Sequence, residues 1–327
     1  MTEVVEFEKQ TKQLIDGLKS VCANYGLGND GNEFKIITQV FLYKYLNDKF
    51  IYEVKKLDEK IANSENWEET IKSYSEEEYQ MLLMSLNENT ARIKPEQFIS
   101  TLFEKQNQPK FAELFDNTFL EVAKQNSDIF SVLTEGGEKI VLFENLSKYV
   151  TDKKDDFCRA IVNKLINFSF ENIFQEKFDF YATIFEYLIK DYNTNSGGKY
   201  AEYFTPHAVA KIMARCLVKG EVNNATCYDP SAGSGTLLMN LAHQIGEDKC
   251  TIYSQDISQK SSSLLRLNLI LNNLVSSIPN IIKGNTITDP YHKEKNGCLE
   301  KFDYIVSNPP FKLDFSDYRD DLDTKEN

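Results

Sequence analysis

The chain is poor in the residues on which several chemistries depend. Its six cysteines, Cys22, Cys158, Cys216, Cys227, Cys250 and Cys298, are scattered, and no two form a Cys-x-x-Cys pair. That spacing argues against a zinc site or a disulfide framework and for reduced thiols in the cytoplasm. The three histidines, His207, His243 and His292, are equally dispersed, so no general base stands out. No apolar run is long enough to span a bilayer. The start, Met1-Thr2-Glu3-Val4-Val5-Glu6, is acidic and lacks the basic and apolar regions of a signal peptide. Both features leave no membrane partner in view. Positive charge is also in deficit: 37 Lys and Arg face 50 Asp and Glu, for a net charge of -13. Such a chain repels phosphate backbones and should bind nucleic acid poorly by itself, so a nucleic-acid substrate would need a basic partner. The same acidity also serves a cytoplasmic protein simply as a source of solubility. Internal repeats and low-complexity tracts are lacking too.

What is present is enough for a sizeable core. The chain has 327 residues, 41% hydrophobic and 12% aromatic, a length that suggests about two domains. The first half reads as helical throughout. Helical spacing runs from Glu6 to Asn24, and Gly26 to Asn32 breaks the chain. A helix from Glu33 to Phe50 is apolar nearly all round and should be buried centrally. Pro95 and Pro109 suit first helical turns, Gly136-Gly137 marks a turn, and helices are expected over 155–168 and 178–192. Asn193-Thr194-Asn195-Ser196-Gly197-Gly198 reads as a linker. Beyond it short β-like runs at 225–228, 250–255, 280–282 and 303–306 alternate with helical patterns at 236–244 and 258–273, which predicts a parallel α/β sheet.

Three stretches carry chemistry. Asp229-Pro230-Ser231-Ala232-Gly233-Ser234-Gly235-Thr236 follows the first of these strands and opens a helix, so its glycines allow close backbone approach and its free N–H groups favour an anion. About twenty residues on, Asp256 ends the second strand with a carboxylate that can hold both hydroxyls of a ribose. The pair fits a nucleoside site, a dinucleotide site or a tight turn with no ligand. Before the first strand, Ala201 to His207 place aromatics next to a helix start, with Thr205 as N-cap and Pro206 as first helical residue. A capped helix with buried aromatics explains that stretch equally well. Finally, Asn308-Pro309-Pro310-Phe311 ends the last strand. An amide oxygen and a carbonyl there could accept from a nucleotide's exocyclic amine while a ring stacks on the base, or the four residues could merely end a strand.

Taken together, these stretches resemble the modification subunit of type I restriction–modification systems, a DNA adenine-N6 methyltransferase family. Leu42 to Phe50 is similar to the signature of that family's helical amino-terminal domain, and Phe185 to Ile189 and Glu202 to Pro206 are similar to the entry to its catalytic domain. The resemblance implies a helical N-terminal domain over 1–168, followed over 169–327 by a Rossmann-like S-adenosylmethionine-dependent methyltransferase domain. It implies S-adenosylmethionine as cofactor, held by Glu202, Tyr203, Phe204, Thr205, Pro206, His207, Asp229, Gly233, Ser234, Gly235, Thr236 and Asp256, with Asn285 near the cofactor's adenine. It implies catalysis at Asn308, Pro309, Pro310 and Phe311 on a flipped adenine, with no metal. Glu202 and Asp256 stand where Gln and Glu are frequent, and both keep hydrogen-bonding capacity. The implied partners are DNA, a separate specificity subunit that chooses the target, a second modification subunit and a restriction subunit. Only four strands can be placed, and the acidic residues 312–327 follow the Asn-Pro-Pro-Phe turn closely. The expectation is therefore a chain lacking the C-terminal part of the sheet and transferring little methyl alone. The alternatives are a non-catalytic scaffold that binds the specificity subunit, or a methyltransferase acting on RNA or a protein glutamine.

Overall fold

The computed structural model describes residues 2–28, 31–174, 182–188, 205–311, 314, 316 and 319–323. The linker expected at 193–198 and the residues Glu202, Tyr203 and Phe204 lie outside these. The chain packs as two units, one of residues 1–128 and 141–192, the other of residues 129–140 and 193–327. Among the described residues, no helix is long and apolar enough to cross a membrane.

Helices build the first unit: α1 (Thr2–Asn24), α2 (Gly31–Leu57), α3 (Phe111–Gln125), α4 (Lys154–Leu165) and several shorter ones. The apolar residues of α2 recur on every side, and the helix is accordingly buried along most of its length. Tyr43 stacks near Phe119 at 4.5 Å, while Phe41 and Tyr45 meet Phe170 edge-on at 5.2 and 5.5 Å. Pro109 does not sit in the first turn of α3. Lys110, with φ of 61°, is the N-cap, so the chain enters that helix through a left-handed residue.

The polar residues of α2 are buried with the rings. Lys44 Nζ donates to Asp48 Oδ1 at 2.9 Å, as does Asn47 Nδ2 at 3.0 Å. Asp48 Oδ2 accepts from Phe170 N at 2.8 Å, and Asn47 Oδ1 accepts from Ile99 N at 3.2 Å. Burial pushes the Asp48 carboxyl upward, and the Lys44 ammonium opposes it. Removing one partner from such a network leaves the others buried and unpaired. Asp48→Ala should therefore cost about 3–5 kcal/mol of stability, readable as a lower midpoint in urea unfolding; a loss under about 1 kcal/mol would contradict the network's role.

The second unit is a six-stranded sheet in the order β2-β1-β5-β4-β3-β6. The strands expected in the second half are β3 (Ala225–Asp229), β4 (Cys250–Asp256), β5 (Ile281–Lys283) and β6 (Tyr304–Ile305), all mutually parallel. Helices α5 (His207–Leu217), α6 (Thr236–Ile245) and α7 (Gln259–Leu271) accompany them. The first half is not helical throughout. Val132–Thr134 (β1) and Lys139–Ile140 (β2) form an antiparallel hairpin around Gly136-Gly137, and β1 pairs in parallel with β5, Leu133 beside Ile282. The side chain of Arg266, on α7, holds both ends of this hairpin by donating to the carbonyls of Phe130 at 3.2 Å and Ile140 at 3.0 Å. Burial draws its guanidinium down to about 10. Two strands of three and two residues are too short to show an alternating pattern, and their partner strand lies far along the chain.

Candidate functional site

Parallel strands in an open α/β sheet expose their C-terminal ends together, and that edge is where such sheets bind ligands. Here β3 ends in Asp229 and β4 in Asp256. The turn after β3 folds back between them. Gly233, in the left-handed region at φ 54°, donates its N–H to Asp256 Oδ2 at 2.9 Å, and Ser231 N donates to Asp229 Oδ1 at 2.9 Å. The second oxygen of Asp256 accepts from Ser258 N at 2.8 Å. Ser258 in turn caps α7 through Ser261 N. Gly235 caps α6 at φ 81°, and a Cβ there would run into Leu265 Cδ1, so this glycine serves backbone conformation and the packing of α7. Ser234 and Thr236 are buried, their hydroxyls 3.1 Å apart, and the Ser234 carbonyl accepts from Asn268 Nδ2.

Burial is the main cause that raises both carboxyls, Asp229 to about 7, and the charge of Asp256 adds to the rise at Asp229. Among the described residues neither takes part in a salt bridge; backbone N–H groups and serine hydroxyls supply the opposing dipoles. Such a pocket favours a cation that also carries hydroxyl donors. Ile257, next to Asp256, is 63% exposed and adds an apolar surface.

The turn after β6 joins this edge. Ser307 and Ser231 hydroxyls are 2.7 Å apart, linking the glycine turn to the residue before Asn308. Asn308 Nδ2 donates to Thr205 Oγ1 at 3.1 Å, which fixes the amide and leaves its oxygen without a protein partner among the described residues. Thr205 is thus not the N-cap of α5. Pro206 occupies that position and its ring has no atom with which to cap, while the Thr205 hydroxyl accepts from Asn308. His207 has its Nδ1 3.2 Å from Asn240 Nδ2 on α6. Pro309, Pro310 and Phe311 are exposed, the ring of Phe311 at 86%. After β5, Asn285 is half-buried and its Oδ1 accepts from Ile287 N at 3.0 Å, while Thr286 Oγ1 donates to the Pro230 carbonyl at 2.7 Å.

Ile257 and Thr286 belong to this edge and carried no local signal, and nothing local paired Ser231 of the glycine stretch with Ser307. Their contacts join residues as far as 76 positions apart, and only strand order brings them together.

A parallel sheet with a glycine turn after one strand and a carboxylate ending its neighbour is an α/β arrangement that can hold a ligand at its C-terminal edge. More narrowly, residues 176–327 match the family model described as N-6 DNA Methylase. The chain is similar to the type I restriction enzyme MpnII methylase subunit of Mycoplasma pneumoniae, 31% identical over 144 residues that make up 42% of this chain and 26% of the relative. It is also similar to the type I restriction enzyme MjaIX methylase subunit of Methanocaldococcus jannaschii, 27% identical over 156 residues, 46% of this chain and 26% of the relative. Both alignments thus span about a quarter of the curated relatives' length. The crystal structure of a type I restriction–modification system methyltransferase subunit from Streptococcus thermophilus shares the fold. Its TM-score is 0.73 at 21% identity, over 96% of this chain and 66% of that one. The helical first part and the α/β methyltransferase-like second part agree with the expected fold class.

Asp229 supplies a direct test of the pocket's electrostatics. Its folded-state carboxyl sits well above the ordinary value of 3.8. The folded chain therefore holds the proton more tightly than the unfolded one, and that stabilisation is lost as pH rises through about 7. Asp229→Asn, which keeps the acceptor for Ser231 N, should raise the melting temperature at pH 8, with the gap narrowing steadily towards pH 4. A gap that is flat or widens on acidification would contradict it.

Proposed function

We propose that this chain is the modification subunit of a type I restriction–modification system, methylating adenine N6 in DNA with S-adenosylmethionine. The observation that carries the reading is one sheet edge on which a buried Asp229 and a half-buried Asp256 lie beside a hydrogen-bonded, exposed asparagine amide. S-adenosylmethionine, when bound, supplies an electrophilic methyl group. It fits this edge because it brings positive charge to two carboxylates that lack a cation, and ribose hydroxyls to Asp256, whose oxygens each keep lone-pair capacity. Asp229 and the Gly233–Thr236 turn shape the pocket, with Ile257 as an apolar wall for the nucleoside.

Adenine N6 is a weak nucleophile because its lone pair is delocalised into the ring. The Asn308 amide oxygen and the Pro309 carbonyl accept from the amine and favour a nitrogen with a localised pair, so positioning and electrostatics carry the acceleration. Thr205 holds the Asn308 amide with its oxygen towards the base. Phe311, whose ring is free in solvent, stacks on an adenine taken out of the duplex and offsets part of an unstacking cost of a few kcal/mol. The net charge of -13 supports a division of labour in which a separate specificity subunit supplies DNA affinity and target choice to two modification subunits, with a restriction subunit joining them.

Calorimetry with the full chain should show S-adenosylmethionine binding that weakens as pH falls from 8 to 6, since the cation prefers ionised Asp229. Asp256→Ala should weaken it at least about tenfold, a loss of one charge-assisted contact. Together with its specificity subunit and duplex DNA, Asn308→Ala should keep cofactor affinity and lose methyl transfer. Thr205→Val should lower kcat by about tenfold or more, and Thr205→Ser should restore most of it. Absence of cofactor binding at millimolar concentration would defeat the proposal. Transfer to RNA or protein in place of DNA would redirect it.

A further inference from the structure

The hairpin of β1 and β2 brings one more carboxylate to the same sheet edge. Glu135 directly follows β1, and β1 runs parallel to β5, so Glu135 stands at the C-terminal side of the sheet next to Gly284 and Asn285. Two backbone bonds grip it there. Glu135 N donates to the Lys283 carbonyl at 3.0 Å, and Asn285 N donates to Glu135 Oε2 at 3.0 Å. Glu135 thus brackets Gly284, its backbone N–H bonded to Lys283 before it and its carboxylate to Asn285 after it. The approach is close enough that a Cβ on Gly284 would run into Oε2 and lie 2.8 Å from the Glu135 Cβ. Gly284 has no left-handed φ, so room for Glu135 is the reason on view for a glycine at this position.

The distance from the ribose carboxylate is also suggestive. Gly284 N donates to the Asp256 carbonyl at 2.9 Å, so the ends of β4, β5 and β1 lie in consecutive order. Two inter-strand steps amount to ~10 Å, comparable with the span of an adenosine from its ribose hydroxyls to its exocyclic amine. Along that line the Asn285 side chain is already occupied with Ile287 N. Glu135 is exposed, and a carboxylate with one oxygen engaged keeps the other as an acceptor.

We propose that Glu135 reads the base of the bound cofactor, accepting a hydrogen bond from the exocyclic amine of its adenine, so that a hairpin from the first half of the chain sets nucleobase specificity. This rests on the S-adenosylmethionine reading above. The competing role is purely structural, with Glu135 only satisfying Asn285 N.

The two roles separate on a pair of ligands that differ at one group. S-adenosylhomocysteine presents an amine donor at the position where S-inosylhomocysteine presents an oxo acceptor. Calorimetry with the full-length wild-type chain should favour the adenosyl ligand by about tenfold or more, the worth of one hydrogen bond to a charged group. Glu135→Gln keeps an acceptor for Asn285 N and turns an amide donor outward, so its preference should swing towards the inosyl ligand by a similar factor. Gly284→Ala keeps the charge and displaces the carboxylate, and should erase the preference. Equal weakening of both ligands in these variants, or a preference unchanged from wild type, would overturn the role of Glu135 while leaving the cofactor site standing. Failure of wild type to bind either ligand would overturn the cofactor reading itself, and this inference with it. Melting temperatures of the variants within a few degrees of wild type show that the fold is kept; if Gly284→Ala unfolds, the swing in Glu135→Gln decides.

Discussion

Asp229 and Asp256 end adjacent strands of one sheet, the first buried and the second half-buried, without a cation among the described residues. Two like charges in a poorly solvated place are costly, and what surrounds them reads as the means of tolerating them. The glycine turn bends so that Gly233 N reaches Asp256, Ser231 N reaches Asp229, and Ser258 N closes the other side. The left-handed Gly233 and the Ser258 cap of α7 both aim backbone dipoles at Asp256, while Gly235 serves the packing of α7. A protein that holds carboxylates in this state gains affinity for a positively charged ligand, because binding relieves a penalty the fold already carries.

The helical unit uses a different kind of buried polarity. Its sequence signature, Leu42 to Phe50, turns out to be a closed network in which Lys44, Asn47 and Asp48 satisfy each other and the backbone of Ile99 and Phe170. Each of these polar atoms has a partner within the unit, so the pattern fixes how helices and connecting segments meet, and nothing in it is offered to a ligand. The contrast with the sheet edge is instructive: a buried charge that is paired holds structure, and one left unpaired invites a ligand.

At the sheet edge, precision comes from contacts between side chains of distant segments. Thr205 precedes its helix and could have capped it, but its hydroxyl is spent on Asn308. Ser231 meets Ser307, and Thr286 meets the carbonyl of Pro230, so the three turns that follow β3, β5 and β6 are tied to one another. The hairpin adds a fourth turn to this edge, held by Arg266 from behind and by Asn285 at its tip. Each link is a single hydrogen bond, and together they set the position of the Asn308 amide relative to the carboxylates.

Sequence by itself determined what is local. The all-round apolar pattern of 33–50 dictates a buried helix, because no face of it can be left in water. The β-like runs ending in Asp229 and Asp256, with helical periods between them, dictate a parallel sheet, since parallel strands need crossovers. Glycine at 233 and 235 marks a turn that other residues resist. Tertiary structure decided what depends on strand order. The residues of β1 and β2 are too few to show a period, and they became strands only because β5 offered a free edge and Arg266 offered donors to the carbonyls of Phe130 and Ile140. Thr205 was a plausible cap in isolation and became a partner of Asn308 only once β6 lay beside β3. Glu135 has no motif at all. Its place opposite Gly284 follows from a pairing across some 150 positions of chain, a distance over which spacing carries no information.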